Sequence, residues 1–170
     1  YFPMMWPAPE PVKLTVHAGA STIAVPVRKR NLTDKPVVFA NPEAAAPVQQ
    51  KQIKKASNSR KTWIDKKTGH TKMAIVDDFG TQELKPHGMI VSGVGRETYS
   101  IDPNDPLSAI METHWTEGHK RGKWETRAET YGRLTATKTH WIVWGKIEAF
   151  EGKKRVFLKE FNEQIERRLQ

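Results

Sequence analysis

Residues 124–161 read WETRAETYGRLTATKTHWIVWGKIEAFEGKKRVFLKEF. In the second half of this stretch Trp141, Val143 and Gly145 lie two apart, and side chains two apart share one side of a β-strand. Gly152 follows this run and precedes another, at a place where a tight hairpin needs a residue with positive φ. The stretch therefore predicts antiparallel strands joined by short turns.

Similar runs recur along the second part of the chain. The predicted strands cover 60–65, 71–77, 96–101, 109–116, 124–133, 139–150 and 155–161. The stretch from Asp65 to Gly69 predicts one tight turn, and the stretch from Gly118 to Gly122 predicts a longer one. The pattern predicts an all-β fold, either an antiparallel β-sandwich or a curved up-and-down sheet. Because Ile142 and Trp144 are apolar as well, we expect the strand over 139–150 to be central.

Both ends of the chain suggest additional elements. Alternating runs on either side of Ala18-Gly19-Ala20 predict a strand pair within 12–27. Residues 29–56 contain three prolines and no sustained period, so we expect a linker there, followed by a C-terminal antiparallel β module over 57–170. Residues 162–170 predict a short helix in which Ile165 and Leu169 face inward.

Composition limits the chemistry that the chain can perform. Its 170 residues include no cysteine, which excludes disulfides and thiolate chemistry and leaves the compartment undetermined, with the cytoplasm favoured. The net charge of +9 is concentrated in residues 51–72. A solvated hairpin is the simplest interpretation of that stretch, and docking on an acidic surface is the alternative. The candidate binding surface there consists of Lys54, Lys55, Arg60, Lys61, Trp63, Lys66 and Lys67.

No pattern in the sequence indicates catalysis by this chain. Ser92 has Ile90 where a nucleophile elbow requires glycine. The six histidines lack metal-ligand spacing, and Asp102-Pro103 with Asn104-Asp105 is typical of a structural corner. We therefore expect no catalytic residue, no metal and no cofactor. Neither a membrane segment nor a nucleic-acid fingerprint is present in the sequence, so neither partner is expected.

The aromatic residues allow two interpretations. Packing in a core or against another domain is the commoner use of tryptophan, whereas exposed rings on one face can stack on a carbohydrate. The residues concerned are Trp63, Trp115, Trp124, Trp141 and Trp144, with Tyr99 and Tyr131.

Several ordered segments carry a family resemblance. They are YFPMMWPAPEPV at 1–12, GAS at 19–21, VPVR at 25–28, GRETYSI at 95–101, DPLSA at 105–109, EAFEG at 148–152 and RVF at 155–157. With them the chain resembles the C-terminal region of the cocaine esterase/NonD family of serine hydrolases, relatives of the X-Pro dipeptidyl-peptidases and α-amino acid ester hydrolases.

The resemblance implies an α/β-hydrolase domain with a helical cap upstream in the same polypeptide, followed by a jelly-roll-like domain whose closing strands would be residues 1–28. Its catalytic serine, aspartate and histidine would all lie upstream. We therefore expect a non-catalytic module that docks on and stabilises a hydrolase of ester or amide bonds, with those upstream domains as partners and homo-oligomerisation as an option. Because the first residue is Tyr1, we expect an omitted upstream region. The alternative is an independent carbohydrate- or polyanion-binding module.

Overall fold

The computed structural model describes residues 7–29, 31 and 37–167. The chain divides into two compact units, one formed by Tyr1–Val12 with Val48–Gln170 and the other by Lys13–Pro47. The first unit holds all the strands that the described residues form. They are β1 Gln50–Lys54, β2 Ser57–Ile64, β3 Thr71–Leu84, β4 Met89–Asp102, β5 Asp105–Arg121, β6 Trp124–Ala136, β7 His140–Glu151 and β8 Lys154–Glu166.

The strands form one open antiparallel sheet in the order β1-β3-β4-β5-β6-β7-β8. β2 also pairs with β3, so β1 and β2 follow each other along the same edge. From β3 onward each strand lies beside its neighbour in sequence. This arrangement confirms the predicted all-β antiparallel fold.

Short turns connect the long strands. Gly122 and Gly152 have φ of 60° and 55° and are each followed by a lysine whose φ is not positive, the pattern of a type II′ hairpin turn. The predicted longer turn at 118–122 is wrong, because β5 continues through Gly118 to Arg121. The predicted corner at Pro103 and Asn104 is confirmed as the turn between β4 and β5.

The strand register assigns the side chains to two faces. One, here called the apolar face, carries Met73, Ile75, Val91, Tyr99, Met111, Trp115, Leu134, Trp141, Val143, Ile147, Phe157, Phe161 and Ile165. The other, here called the charged face, carries Arg96, Glu112, His114, Arg127, Glu129, Tyr131, Arg133, Lys146, Glu148 and Glu160. Met111, Thr113 and Trp115 share the apolar face.

Within the first unit, no second layer of described residues covers the apolar face. Ala109 and Ala136 are the buried hydrophobic side chains of the sheet, with 1% and 8% exposed. The accessible surface of the chain is 14444 Å², whereas a compact monomer of its mass exposes about 8,500 Å². The described residues among 11–47 are all exposed and contribute to this area. Within the sheet, the apolar side chains of β3 to β7 are mostly half-buried, and those of β8 are mostly exposed.

The predicted C-terminal helix is wrong over 162–166, because β8 continues to Glu166, and Leu169 lies outside the described residues. Phe157, Phe161 and Ile165 are spaced by four, which fits both a helix stripe and alternate positions on a strand. Pairing decides between them, since β7 offers a full partner in which Trp141 lies opposite Ile165. β7 lies next to the edge strand β8, so the prediction that it is central is also wrong.

The predicted strand pair within 12–27 is absent from the described residues. A turn at 18–20 is present, where the amides of Ala20 and Ser21 donate to the carbonyl of His17 at 3.1 and 2.9 Å. No strand pairs with the runs on either side, and Leu14 and Ile23 are 85% and 92% exposed. Alternation alone does not create a strand without a partner for its backbone groups. β1 lies inside the predicted linker, and the proposed division into domains stays a prediction.

The described part of the chain contains no helix of the length and apolarity needed to cross a membrane.

Candidate functional site

The centre of the charged face is a connected group of side chains on β5, β6 and β7. Tyr131 donates its hydroxyl to Glu129 at 2.5 Å, and Arg127 forms an ion pair with the same carboxylate. The ring of His114 stacks on Tyr131 with 4.3 Å between centroids, and Lys146 Nζ lies 4.4 Å from the Tyr131 centroid. Tyr131 is thus held from three sides, which fixes the orientation of its ring.

A second carboxylate extends this network toward β8. Glu148 accepts from Lys146 and from Arg155, each at 2.8 Å. These two hydrogen bonds hold the pKa of Glu148 below its ordinary value, because they favour the charged carboxylate. Arg127 completes the network by lying 4.2 Å from the centroid of Phe150.

The environment of His114 lowers the pKa of its imidazole. Partial burial is the larger cause, and the cations of Arg96 and Lys146 add to it. Glu129 lies 3.4 Å from His114 Nε2, but its carboxylate is already bound by Arg127 and Tyr131. His114 is therefore expected to be neutral at physiological pH, so its ring can stack on Tyr131 without a charge beside Lys146.

An open groove of about 590 Å³ lies between two rows of these side chains. Tyr131 and Trp144 give it aromatic surface, whereas Arg96, Arg133 and Glu112 give it charge. Arg96 makes no ion pair within the described ranges, and Arg133 reaches Glu112 only at 3.9 Å. The groove therefore offers guanidinium groups beside ring faces, an arrangement suited to a flat or cyclic ligand that carries an acid group.

The seven residues of the predicted binding surface lie along one edge of the sheet but do not form one patch. Arg60 lies on the apolar face and Lys61 and Trp63 lie on the charged face. Lys54 ends β1 and is paired with Asp78. Lys55 lies between β1 and β2, and Lys66 and Lys67 lie in the turn after β2. The surface holds Lys54, Lys55, Arg60, Lys61, Trp63, Lys66 and Lys67, and its binding role stays a prediction.

The tryptophans likewise do not share one binding groove. Trp115, Trp124 and Trp141 lie on the apolar face, and Trp63 and Trp144 lie on the charged face. Trp63 and Trp124 are 51% and 44% exposed, and the other three are half-buried. Neither full burial in a core nor one continuous aromatic platform is found among these residues.

Arg167 is an anchor that the sequence did not reveal. It is 8% exposed, donates to the carbonyls of Thr137 at 2.9 Å and Pro7 at 2.5 Å, and lies 4.5 Å from the centroid of Trp141. Pro7 is fully buried at this contact. Because the two ends of the chain meet here, no local pattern could have indicated the interaction.

The residues considered for catalysis lie in structural positions. Ser92 lies inside β4, opposite Gly118, and not on a strand-to-helix turn. Asp105 accepts from the amide of Leu107 at 3.1 Å, and Asp102 pairs with His70 at 2.6 Å, so both carboxylates hold the corner. Among the described residues, no group of three or more histidine, aspartate or glutamate side chains is placed to hold a metal ion.

No family model, no curated protein and no solved structure matched the chain in the comparisons with known proteins.

Proposed function

We propose that the chain is a non-catalytic C-terminal β module of a larger serine hydrolase acting on ester or amide bonds. Its apolar face would dock on the upstream hydrolase and cap domains of the same polypeptide. The observation that carries this proposal is the uncovered apolar face of an open sheet. Contiguous apolar surface of this extent marks an interaction site in soluble proteins.

The free energy of covering the apolar face differs from that of covering the charged face. Met111, Trp115 and Ile147 gain free energy when they leave water, at roughly 25 cal/mol per Å² of apolar surface. The charged face carries the Glu129 and Glu148 ion pairs at its centre, and their desolvation would offset much of any gain from contact. The apolar face also carries charges, among them Lys159 and Glu163 on the edge strand β8. This difference favours the apolar face as the docked side and leaves the charged face in water.

The resemblance to the cocaine esterase/NonD family identifies the proposed occupant. In a hydrolase of that class an activated serine attacks the substrate carbonyl, and water then releases the acyl group. That chemistry would belong to the upstream domains. The module would supply rigid surface, and a sheet with β strands of up to 17 residues is long enough to span a domain interface.

The first test is to sequence the coding DNA upstream of the Tyr1 codon and to translate it in the same frame. We expect an open frame that encodes a Gly-x-Ser nucleophile elbow. A stop codon directly upstream would overturn the proposal.

A matched pair of substitutions in β7 then tests the docked face in the longer polypeptide. Ile147 lies on the apolar face and Ile142 on the charged face. If the apolar face is covered, Ile147→Asp buries a carboxylate opposite Lys159 on β8. The desolvation of that charge should lower the free energy of unfolding by about 3 kcal/mol or more. Ile142→Asp should lower it by about 1 kcal/mol. Equal losses in urea unfolding would contradict docking through the apolar face.

The groove on the charged face supports a second candidate function, the binding of an acidic carbohydrate by an independent module. Tyr131 and Trp144 would contact the sugar ring while Arg96 pairs with its carboxylate. A closed upstream frame would favour this function over docking. Titration of the chain with a uronic acid oligosaccharide, followed by tryptophan fluorescence, would then measure it.

A further inference from the structure

β8 forms one edge of the sheet, and its outer side is open. It pairs with β7, and no other described strand pairs with it. Phe157, Leu158 and Ile165 are 48%, 46% and 52% exposed. An exposed edge strand of 13 residues with apolar side chains is a template for pairing with another strand.

The sequence of β8 is complementary to itself when it is reversed. If β8 pairs antiparallel with β8 of a second copy about a two-fold axis at Phe161, that residue meets its own copy. Lys159 then lies opposite Glu163 of the second copy, and Phe157 lies opposite Ile165. These four residues all lie on the apolar face, so the two side chains of each pair are neighbours on the same side of the sheet. The symmetry repeats the ion pair and the apolar pair on the other side of the axis.

Neighbouring registers lack this match. Moving the axis to Glu160 places that carboxylate against its own copy and Phe157 against Glu163. Moving it to Asn162 pairs Phe161 with Glu163 and Lys159 with Ile165. If the axis lay between two consecutive residues, each residue of β8 would lie opposite a residue from the other face of the sheet. The pleat of a β-sheet does not allow this. A single register is therefore favoured.

The opposite edge does not have this property. β2 carries Arg60 and Lys61 at its centre, so pairing with its own copy would bring like charges together. Within the described chain, neither Lys159 nor Glu163 forms an ion pair, and Lys159 lies 4.7 Å from the centroid of Phe161. Both charges are thus available to a second copy.

From these observations we propose that two copies of the chain associate through β8 to form one continuous antiparallel sheet, with Phe161 on the two-fold axis. This inference uses the open edge of the sheet and the margin of the apolar face that β8 forms.

Sedimentation velocity over a range of concentrations tests the association. We expect a dimer that Lys159→Glu and Glu163→Lys each weaken at least tenfold, because each single change places like charges opposite one another twice. The double variant Lys159→Glu/Glu163→Lys restores the pairs and should restore the dimer. Lys123→Glu, in the turn between β5 and β6, controls for a change in net charge alone.

A chain without cysteine also allows a direct test of the register. Phe161→Cys should cross-link to its own copy with a short bismaleimide, whereas Phe157→Cys should not, because its partner is Ile165. A monomer at all concentrations would overturn the proposal, and so would a dimer that ignores the charge changes. Open-ended oligomers would also overturn it, since they indicate pairing of β8 with the opposite edge.

Discussion

At the scale of single residues, ionisable groups on the charged face couple the stability of the sheet to pH. The pKa of His114 is lowered from its ordinary value of 6.5, so the unfolded chain takes up that proton first as the pH falls. Stability from His114 is present above pH 6.5 and is lost as the pH falls toward its folded pKa. The pKa of Glu148 is lowered from 4.5, and its contribution is lost at more acid pH.

We therefore expect acid to destabilise the sheet in two steps. Urea unfolding at a series of pH values between 8 and 3 should show one decline beginning below about 6.5 and a second below about 4.5. His114→Gln should remove the upper step, and Glu148→Gln should reduce the lower one. A curve for His114→Gln that matches the parent would contradict this assignment.

Residue identities indicated only part of the candidate site. The charge excess at 51–72 directed attention to the edge formed by β1 and β2, whereas the groove is built from Arg96, His114, Tyr131 and Trp144 on four different strands. Alternation within each strand correctly predicts that these four side chains lie on a face of the sheet. Their meeting depends on register across the sheet, and turn lengths set register only when every turn is known.

At the scale of elements, glycines in strands make room for the aromatic rings of their neighbours. A Cβ on Gly95 would lie 2.9 Å from the ring of Trp115, which also stacks on Phe79 with 5.9 Å between centroids. β4 can therefore lie close beneath an indole that belongs to β5. β4 pairs on both sides, so Gly93 and Gly95 lie within a strand.

We expect Gly95→Ala to displace the indole of Trp115 and to lower the free energy of unfolding by about 1–3 kcal/mol, the usual cost of overpacking. Gly145→Ala is the matched control, because a Cβ there meets its nearest atoms at 3.6 and 3.7 Å, an ordinary contact. Thermal unfolding and near-ultraviolet circular dichroism would measure both variants. Equal effects of the two substitutions would show that Trp115 does not occupy the space above Gly95.

Strand existence was largely predictable and strand ends were not. Each of the seven runs predicted after residue 57 overlaps an observed strand, because alternation and hairpin glycines are local signals. The strands extend beyond the predictions through polar residues such as Thr81 and Lys120, which pair with neighbours whatever their side chains are. The predicted strand over 155–161 ends too early for the same reason, and the prediction places the last residues of β8 in a helix.

At the scale of the whole molecule, the first unit is closed by a contact between chain ends. Arg167 supplies the donors for the carbonyls of Pro7 and Thr137, and it is buried. Sequence could predict an all-β chain with an apolar face. It could not predict this contact, nor that the described residues leave the apolar face uncovered, because both depend on which distant segments meet.

We expect Arg167→Ala to lower the free energy of unfolding by about 2 kcal/mol, since two buried carbonyls lose a charged donor. Hydrogen exchange at residues 8–10 should become faster at the same time. Arg167→Lys should recover only part of the loss, because one ammonium cannot reproduce the fork of a guanidinium. Arg133→Ala, an exposed arginine with a weak ion pair, should change stability by less than about 0.5 kcal/mol.

The order of the strands also bears on how the chain is made. From β3 to β8 each new strand pairs with the strand synthesised just before it. Such pairing closes only short loops, so contact order stays low for a sheet of this size. The sheet can therefore lengthen at one edge as the polypeptide leaves the ribosome, and each stage of translation ends with an open edge that the next hairpin covers. β8, the last of the described strands to be synthesised, is the one whose edge no later part of the described chain covers.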